Sequence, residues 1–238
     1  MPRTGRPRGF DRNEAVQQAM RLFWEHGYES TSLAQLKAAM GGISAASFYA
    51  AFGSKEALFR EAVDAYLATH GQVMAPLADP VVPPRAAVEQ CLRASARMQT
   101  DPAHPLGCLV VMSAGTCSPE NGHLQAALAA ERGRNRAGLR ACVQRAMEAG
   151  ELRSGTNGLG LATMFDAFLT GLSVAARDRV PAASLDAAIT ELMRLWDQHA
   201  AQNAAKKAQP ACTALGHADA ADAHPRPPTG LARPDGSA

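Results

Sequence analysis

Apolar positions recur at intervals of three and four along most of the chain, and runs of alternating Val, Ile and Thr are absent. Behind Asp11, which can cap a helix, the residues Ala15, Ala19, Leu22, Phe23 and His26 form one stripe of a first helix. Ser32, with Gln35 three residues on, is a capping box that starts a second helix running to about Met40, where Gly41 and Gly42 stop it. Ser44 caps a third from Ala45 to about Phe52, because its hydroxyl can accept a bond from an unpaired amide of the first turn. Gly53 and Ser54 then open a helix from Lys55 to about His70, with Leu58, Phe59, Ala62, Val63, Tyr66 and Leu67 on a broad face. Pro76, Pro80, Pro83 and Pro84 mark a loop. Beyond it, Val88, Cys91, Leu92, Ser95 and Met98 make another stripe, broken over 101–105. The segment 106–117 carries no charge, which predicts a buried helix apolar on all sides between amphipathic helices over 120–150 and 159–177. After Pro181, Leu185, Ile189, Leu192, Leu195 and Trp196 keep the helical spacing.

The pattern predicts an all-α fold. A three-helix head closes as Tyr28 and Leu33 meet Leu36, Phe48 and Phe52, and His26 sits beside its stripe as a partly buried structural histidine. The chain then divides into an arm over 1–9, a helix-turn-helix head over 10–53, a connecting helix over 54–75, a larger helical domain over 76–200 and a tail over 201–238. With 238 residues, 47% of them hydrophobic, there is enough apolar surface for real cores. The tail is the exception: Leu215 and Leu231 are its only large aliphatic residues, so it is expected to be disordered, with Lys206, Lys207, Arg226 and Arg233 as weak auxiliary DNA contacts at most. The longest apolar runs look too short to span a bilayer, and residues 2–13 are basic and polar rather than a signal peptide, so the expected location is the cytoplasm.

Charge changes the picture by its placement. The net charge is only +2, but Arg3, Arg6 and Arg8 precede Phe10 with no acid among them. Gly5 and Pro7 keep that arm from forming a helix, and an extended arm can lay an arginine in a narrow minor groove; alone, the same arm reads as a solvated terminus. Two short helices joined by a glycine turn are a helix-turn-helix, whose second helix can enter the major groove. Ala45, Ala46, Ala50 and Ala51 leave that helix few hydrogen-bonding groups, so base reading rests on Ser44, Ser47 and Tyr49, with alanine methyls against thymine methyls. Ser32, Ser44 and Ser54 are caps, and each capped helix start is also an anion site.

At these residues the chain resembles the TetR (tetracycline repressor) family of bacterial regulators. The matching features are Gly27 and Tyr28; Thr31, Ser32 and Leu33; the turn Gly42, Ile43, Ser44; Phe48, Tyr49 and Phe52; and Ser54, Lys55, Glu56, Ala57 and Leu58. The likeness covers roughly 5–66, and the doubled Gly41 and Gly42 add a residue to the usual turn. The resemblance implies a homodimer on a palindromic double-stranded operator, with phosphate contacts at Thr31, Ser32, Tyr49 and Lys55 and further contacts from Arg6, Arg8, Ser44, Ala45 and Ser47. It also implies a small-molecule pocket in the second domain, for which Met112, Thr116, Cys117, Met164, Phe165 and Phe168 are candidates that serve equally well as plain core. The last two helices would meet their symmetry mates as a four-helix interface, or else close the monomer core. A ligand would release DNA by preferring a form whose heads are wrongly spaced.

The remaining chemistry points away from an enzyme. Cys91, Cys108, Cys117, Cys142 and Cys212 lack the paired spacing of a zinc site and are expected as free thiols, with no metal and no cofactor. Gly158 and Gly160 follow no strand and are not a dinucleotide fingerprint. Cys108 and Cys117, near His104 and His123, allow a variant in which a thiol senses an electrophile or oxidant; on one unbroken helix their sulfurs would face opposite ways. A cysteine- or metal-dependent enzyme built on the same four side chains is the remote alternative, lacking a third group to orient a base.

Overall fold

The computed structural model describes residues 11–113, 115 and 117–201. The expectations for Arg6, Arg8, Thr116, Cys212 and the tail beyond 201 lie outside the described residues. The helices are α1 (Arg12–Ser30), α2 (Leu33–Ala39), α3 (Ala45–Phe52), α4 (Lys55–Ala68), α5 (Pro84–Thr100), α6 (Leu109–Met112), α7 (Gly122–Glu148), α8 (Gly158–Arg177) and α9 (Ala182–Gln198), with short 3-10 segments at His70–Leu77 and Pro119–Asn121. No strand occurs among the described residues, apart from one isolated bridge between Leu152 and Ala200.

The predicted caps close the head. Asp11 accepts from the amides of Asn13 and Glu14, and the Ser32–Gln35 box makes both its bonds, at 2.7 and 3.2 Å. Ser44 and Ser54 cap α3 and α4 from the amides of Ser47 and Ala57. Phe23, Tyr28 and Phe59 then pack ring against ring at 5.0–6.0 Å, over Leu36, Phe48 and Phe52. The doubled glycine is absorbed as two successive left-handed residues, at φ 78° and 77°, with open space around both. His26 departs from expectation: it is exposed, because the stripe ends at Trp24 and the chain bends at Gly27 (φ 80°).

Two cores result. The first joins α1–α4 to Leu109 and Val110 of α6 and Leu124 and Leu128 of α7, so the head rests on the body through shared apolar packing. The second lies between α5, α7, α8 and α9 around Leu139, Phe165, Ile189 and Trp196. Arg85 and Arg93 on α5 bridge Glu89 to Asp197 and Asp186 at 2.6–2.8 Å, a half-exposed network that adds tenths to about 1 kcal/mol per pair.

The charge-free segment is not one helix. Among its described residues only Leu109–Met112 is helical, because Gly107 enters at φ 82° and the Ser113 hydroxyl donates to the Leu109 carbonyl as the chain turns away. Cys108 is the N-cap of this turn and Cys117 lies past its end, so the opposite-face argument for the two sulfurs does not apply. Among the described residues one helix, Gly158–Arg177, is long and apolar enough to cross a membrane by length and composition, longer than the runs suggested. It packs one face into the second core and carries Asp166 within its span.

Candidate nucleic-acid interface

On α3, only Phe48 and Phe52 are buried; Ser44, Ala45, Ala46, Ser47, Tyr49 and Ala50 stand in solvent as one face. Tyr49 is 51% exposed, an extent that packing does not explain for a phenol. The hydroxyls of Ser44 and Ser47 lie 2.9 Å apart and hold each other, leaving lone pairs outward. Lys55 opens α4 with its Nζ 4.3 Å over the Tyr28 ring, and burial, opposed by the Glu29 charge, lowers its pKa. A cation at a helix N-terminus opposes the helix dipole, so helix stability does not account for it, whereas a phosphate there would be favoured by both.

Ser32, Ser44, Ala45, Ser47 and Tyr49 are thus brought out together, with Lys55 half-buried beside them. Thr31 is not. It is fully buried, and its hydroxyl lies 2.7 Å from the Gly27 carbonyl and 3.3 Å from that of Leu22, so it fastens the bend at the end of α1 and offers DNA no side-chain group.

A joint lies behind this surface. The Tyr28 amide donates to the Ser113 carbonyl at 2.8 Å, and the Trp24 indole N–H donates to Gly107 at 3.1 Å. The Arg177 guanidinium of α8 bonds the carbonyls of Leu106, Glu25 and Trp24. Glu29 accepts from Asn121 and from the Ser118 amide, and those bonds hold its pKa below the usual carboxylate value. The ring of Trp24 stacks on His104 at 4.5 Å and meets Tyr66 and His70 edge-on. Segment 106–113 is therefore bonded directly to the head at Trp24 and Tyr28, and indirectly through Arg177, which holds the Leu106 carbonyl together with those of Trp24 and Glu25.

The same segment forms part of a cleft in the body. Cys108, Val110 and Val111 line it with Tyr66 and Leu67 of α4, Met98 and Gln99 of α5, Asn135 of α7 and Asp166 of α8, around a cavity of about 60 Å³ that opens to solvent. Tyr66 donates to the Cys108 sulfur at 3.3 Å; its burial, then the thiol beside it, raise the phenol pKa and keep it a neutral donor.

The pocket residues read from the sequence lie elsewhere. Phe165 is fully buried against Trp196, Met164 and Phe168 pack partly buried on the same core, and Met112 and Cys117 are outside the cleft wall. Of the two readings the sequence allows for these side chains, Phe165, Met164 and Phe168 follow the plain-core one. The usable signal was the polar residue in an apolar stripe: Gln99, Asp166 and Ser173 each interrupt one. For Cys117, burial and then the Glu29 charge push the thiol pKa up, the opposite of what a reactive thiolate needs. No group of three or more His, Cys, Asp or Glu that could hold a metal occurs among the described residues.

A family model for bacterial regulatory proteins of the tetR family matches residues 15–62, and one for the tetracyclin repressor-like C-terminal domain matches 84–192. The chain belongs to the TetR family. The curated repressor ComR of Escherichia coli (strain K12) is 32% identical over 197 residues, which is 82% of this chain and 92% of ComR. BdcR, a repressor of the same organism, is 30% identical over 116 residues, 49% of this chain and 58% of BdcR. Among solved structures, a cysteine mutant of the TetR family regulator CifR, complexed with 26-base-pair double-strand operator DNA, is 44% identical at a TM-score of 0.73, covering 80% of this chain and 98% of that one. The TetR head model spans α1 to α4 and so includes the exposed α3 face. This TetR-family chain is accordingly a DNA-binding transcriptional regulator.

Proposed function

We propose that the chain is a homodimeric repressor that binds a palindromic double-stranded operator through its two heads and is released by a small molecule entering the cleft. The observation that carries the reading is segment 106–113: it is bonded to the head directly at Trp24 and Tyr28 and shares Arg177 with the Glu25 carbonyl, and it also walls the cleft. A ligand that prefers one setting of the segment must bias the setting of the head, by as much as its affinities for the two settings differ.

In this reading α3 lies in the major groove with Tyr49, Ser47 and Ala45 toward the bases and backbone. Ser32, Ser44 and Lys55 take phosphates, and Arg6 and Arg8 follow the adjacent minor groove. The dimer forms on α8 and α9. In support, α8 has a mean hydropathy of 1.5 over its most apolar window, yet only 39% of that window is buried within one copy, and Leu159, Val174 and Leu195 stand exposed. The protein acts in the cytoplasm, without catalysis or cofactor.

The test is binding to DNA from around its own gene, and to sites selected from random sequence, read by fluorescence anisotropy as salt is varied. A specific complex whose log affinity falls linearly with log salt, at about 0.9 per neutralised phosphate, is expected. No preference for any sequence over random DNA at low salt would overturn the reading. The thiol-sensing variant rests on Cys108, which lines the cleft.

A further inference from the structure

Helix α8 divides its surface three ways. Leu161, Phe165 and Leu172 turn into the second core, and Asp166, Leu169, Thr170 and Ser173 turn to the cleft. The remaining side carries Leu159, Thr163, Ala167, Thr170 and Val174, each about one turn from the next and all exposed. Leu159 and Val174 are 60% and 53% exposed. Between 159 and 176 the sequence holds no charged residue but Asp166, so this outer stripe is uncharged, as the centre of a protein–protein contact is. Thr170 belongs to both the second and the third set. The mouth of the cleft and the uncharged stripe therefore share an edge.

A second observation is one of size. The cavity in a single copy is about 60 Å³, whereas sites for small molecules hold roughly 300–1,000 Å³. Asp166 is also a wall of a second space, a groove of about 330 Å³ between α7 and α8, whose other walls include Arg136, Ala137, Leu159 and Thr163. Leu159 and Thr163 are members of the outer stripe. Whatever covers the stripe thus roofs the groove and adds its space to that of the cavity.

We propose that a second copy of this chain, packing its own α8 stripe against this one, roofs the groove and the mouth of the cavity, so that the effector site is complete only in the dimer. This inference rests on the homodimer and the cleft of the function proposed above. A two-fold contact uses the same patch on both chains, and the small residues Thr163, Ala167 and Thr170 let two such helices approach closely. By linkage, a ligand enclosed in this way tightens the dimer by the same factor by which dimerisation tightens the ligand.

Two thiols report the roof. Cys108 marks the inside of the cleft and is followed in the full chain with Cys117→Ser and Cys212→Ser. Thr170→Cys, added together with Cys108→Ser, marks the mouth. Iodoacetamide alkylates each, the thiolate displacing iodide to give a thioether, and peptide mapping gives the rates. The rates are read in the dimer and in chains made monomeric at exposed stripe positions, Val174→Arg and Ala167→Glu. They are read again as the chain with an unaltered stripe is diluted, so that the comparison does not hang on either variant folding. Both thiols are expected to react about tenfold or more slowly in the dimer, because mass action depletes the open monomer. Equal rates at the mouth in monomer and dimer, or protection at the mouth with none at Cys108, overturn the composite site and leave the repressor reading intact. A dimer that survives both stripe substitutions places the contact elsewhere and overturns it as well. Cys108 labelling in the monomer no faster than that of buried Cys91 shows a cleft closed without any partner, with the same result. A chain that sediments as a monomer both free and on operator DNA defeats the homodimer proposed above, which is a different failure.

Discussion

Tyr49 and Lys55 differ in what each contributes to the folded chain, and that difference makes their substitutions separable. Tyr49 meets Phe48 edge to face at 5.5 Å and is half exposed. Tyr49→Ala should therefore lower operator affinity about tenfold or more while shifting stability by less than about 1 kcal/mol. Lys55→Ala also removes a cation–π contact with Tyr28 and should cost about 0.5–1 kcal/mol in urea unfolding besides weakening DNA binding. Unchanged affinity in both variants would remove α3 and the start of α4 from the interface. Thr31→Val is the converse case: the buried hydroxyl serves the carbonyls of Gly27 and Leu22, so stability should fall by about 1–2 kcal/mol, with operator affinity per folded molecule nearly unchanged. Had Thr31 been a phosphate contact, as its place in the motif implied, affinity would fall first.

Helices and turns were legible where local chemistry decides them. The caps at Asp11, Ser32, Ser44 and Ser54 each needed only a hydroxyl or carboxylate within three residues of a free amide, and all four form. The break at 106–117 was not legible, since composition favours a helix and the reasons for its shortness are tertiary: Gly107, just before it, lies where a Cβ would meet the Ser173 carbonyl at 2.9 Å, and the Tyr28 amide holds the Ser113 carbonyl just past it. The cleft was missed for the same reason, because Gln99, Asp166 and Cys108 belong to three elements whose meeting no local pattern records. The two kinds of glycine should respond differently. Gly41→Ala has open space around it and only a left-handed φ to oppose it, so about 1 kcal/mol is expected. Gly107→Ala adds a backbone collision to its positive φ and should lose about 2–4 kcal/mol, read from the same denaturant titration.

At the scale of the whole molecule, head and body meet beside a histidine that titrates, His70. Burial, then His104 and Arg21, lower the pKa of His70 from its ordinary 6.5, with Asp101 opposing, and Tyr66 and Trp24 close the remaining sides. The folded chain thus takes up this proton less readily than the unfolded chain. The stability it contributes is full above about pH 6.5 and is lost as the pH falls through the lowered folded value. The unfolding midpoint should drop between about pH 7 and pH 5, and His70→Gln should flatten that slope. Trp24 gives the joint an optical consequence. Of the two tryptophans in the chain, Trp196 sits in the far core against Phe165, while Trp24 lies against two imidazoles and a phenol at the head–body contact. Indole emission is quenched by an adjacent protonated imidazole and shifts with the polarity around the ring. In a Trp196→Phe chain, the intrinsic fluorescence would follow the joint in real time, so that operator or ligand binding could be watched without any label attached to either.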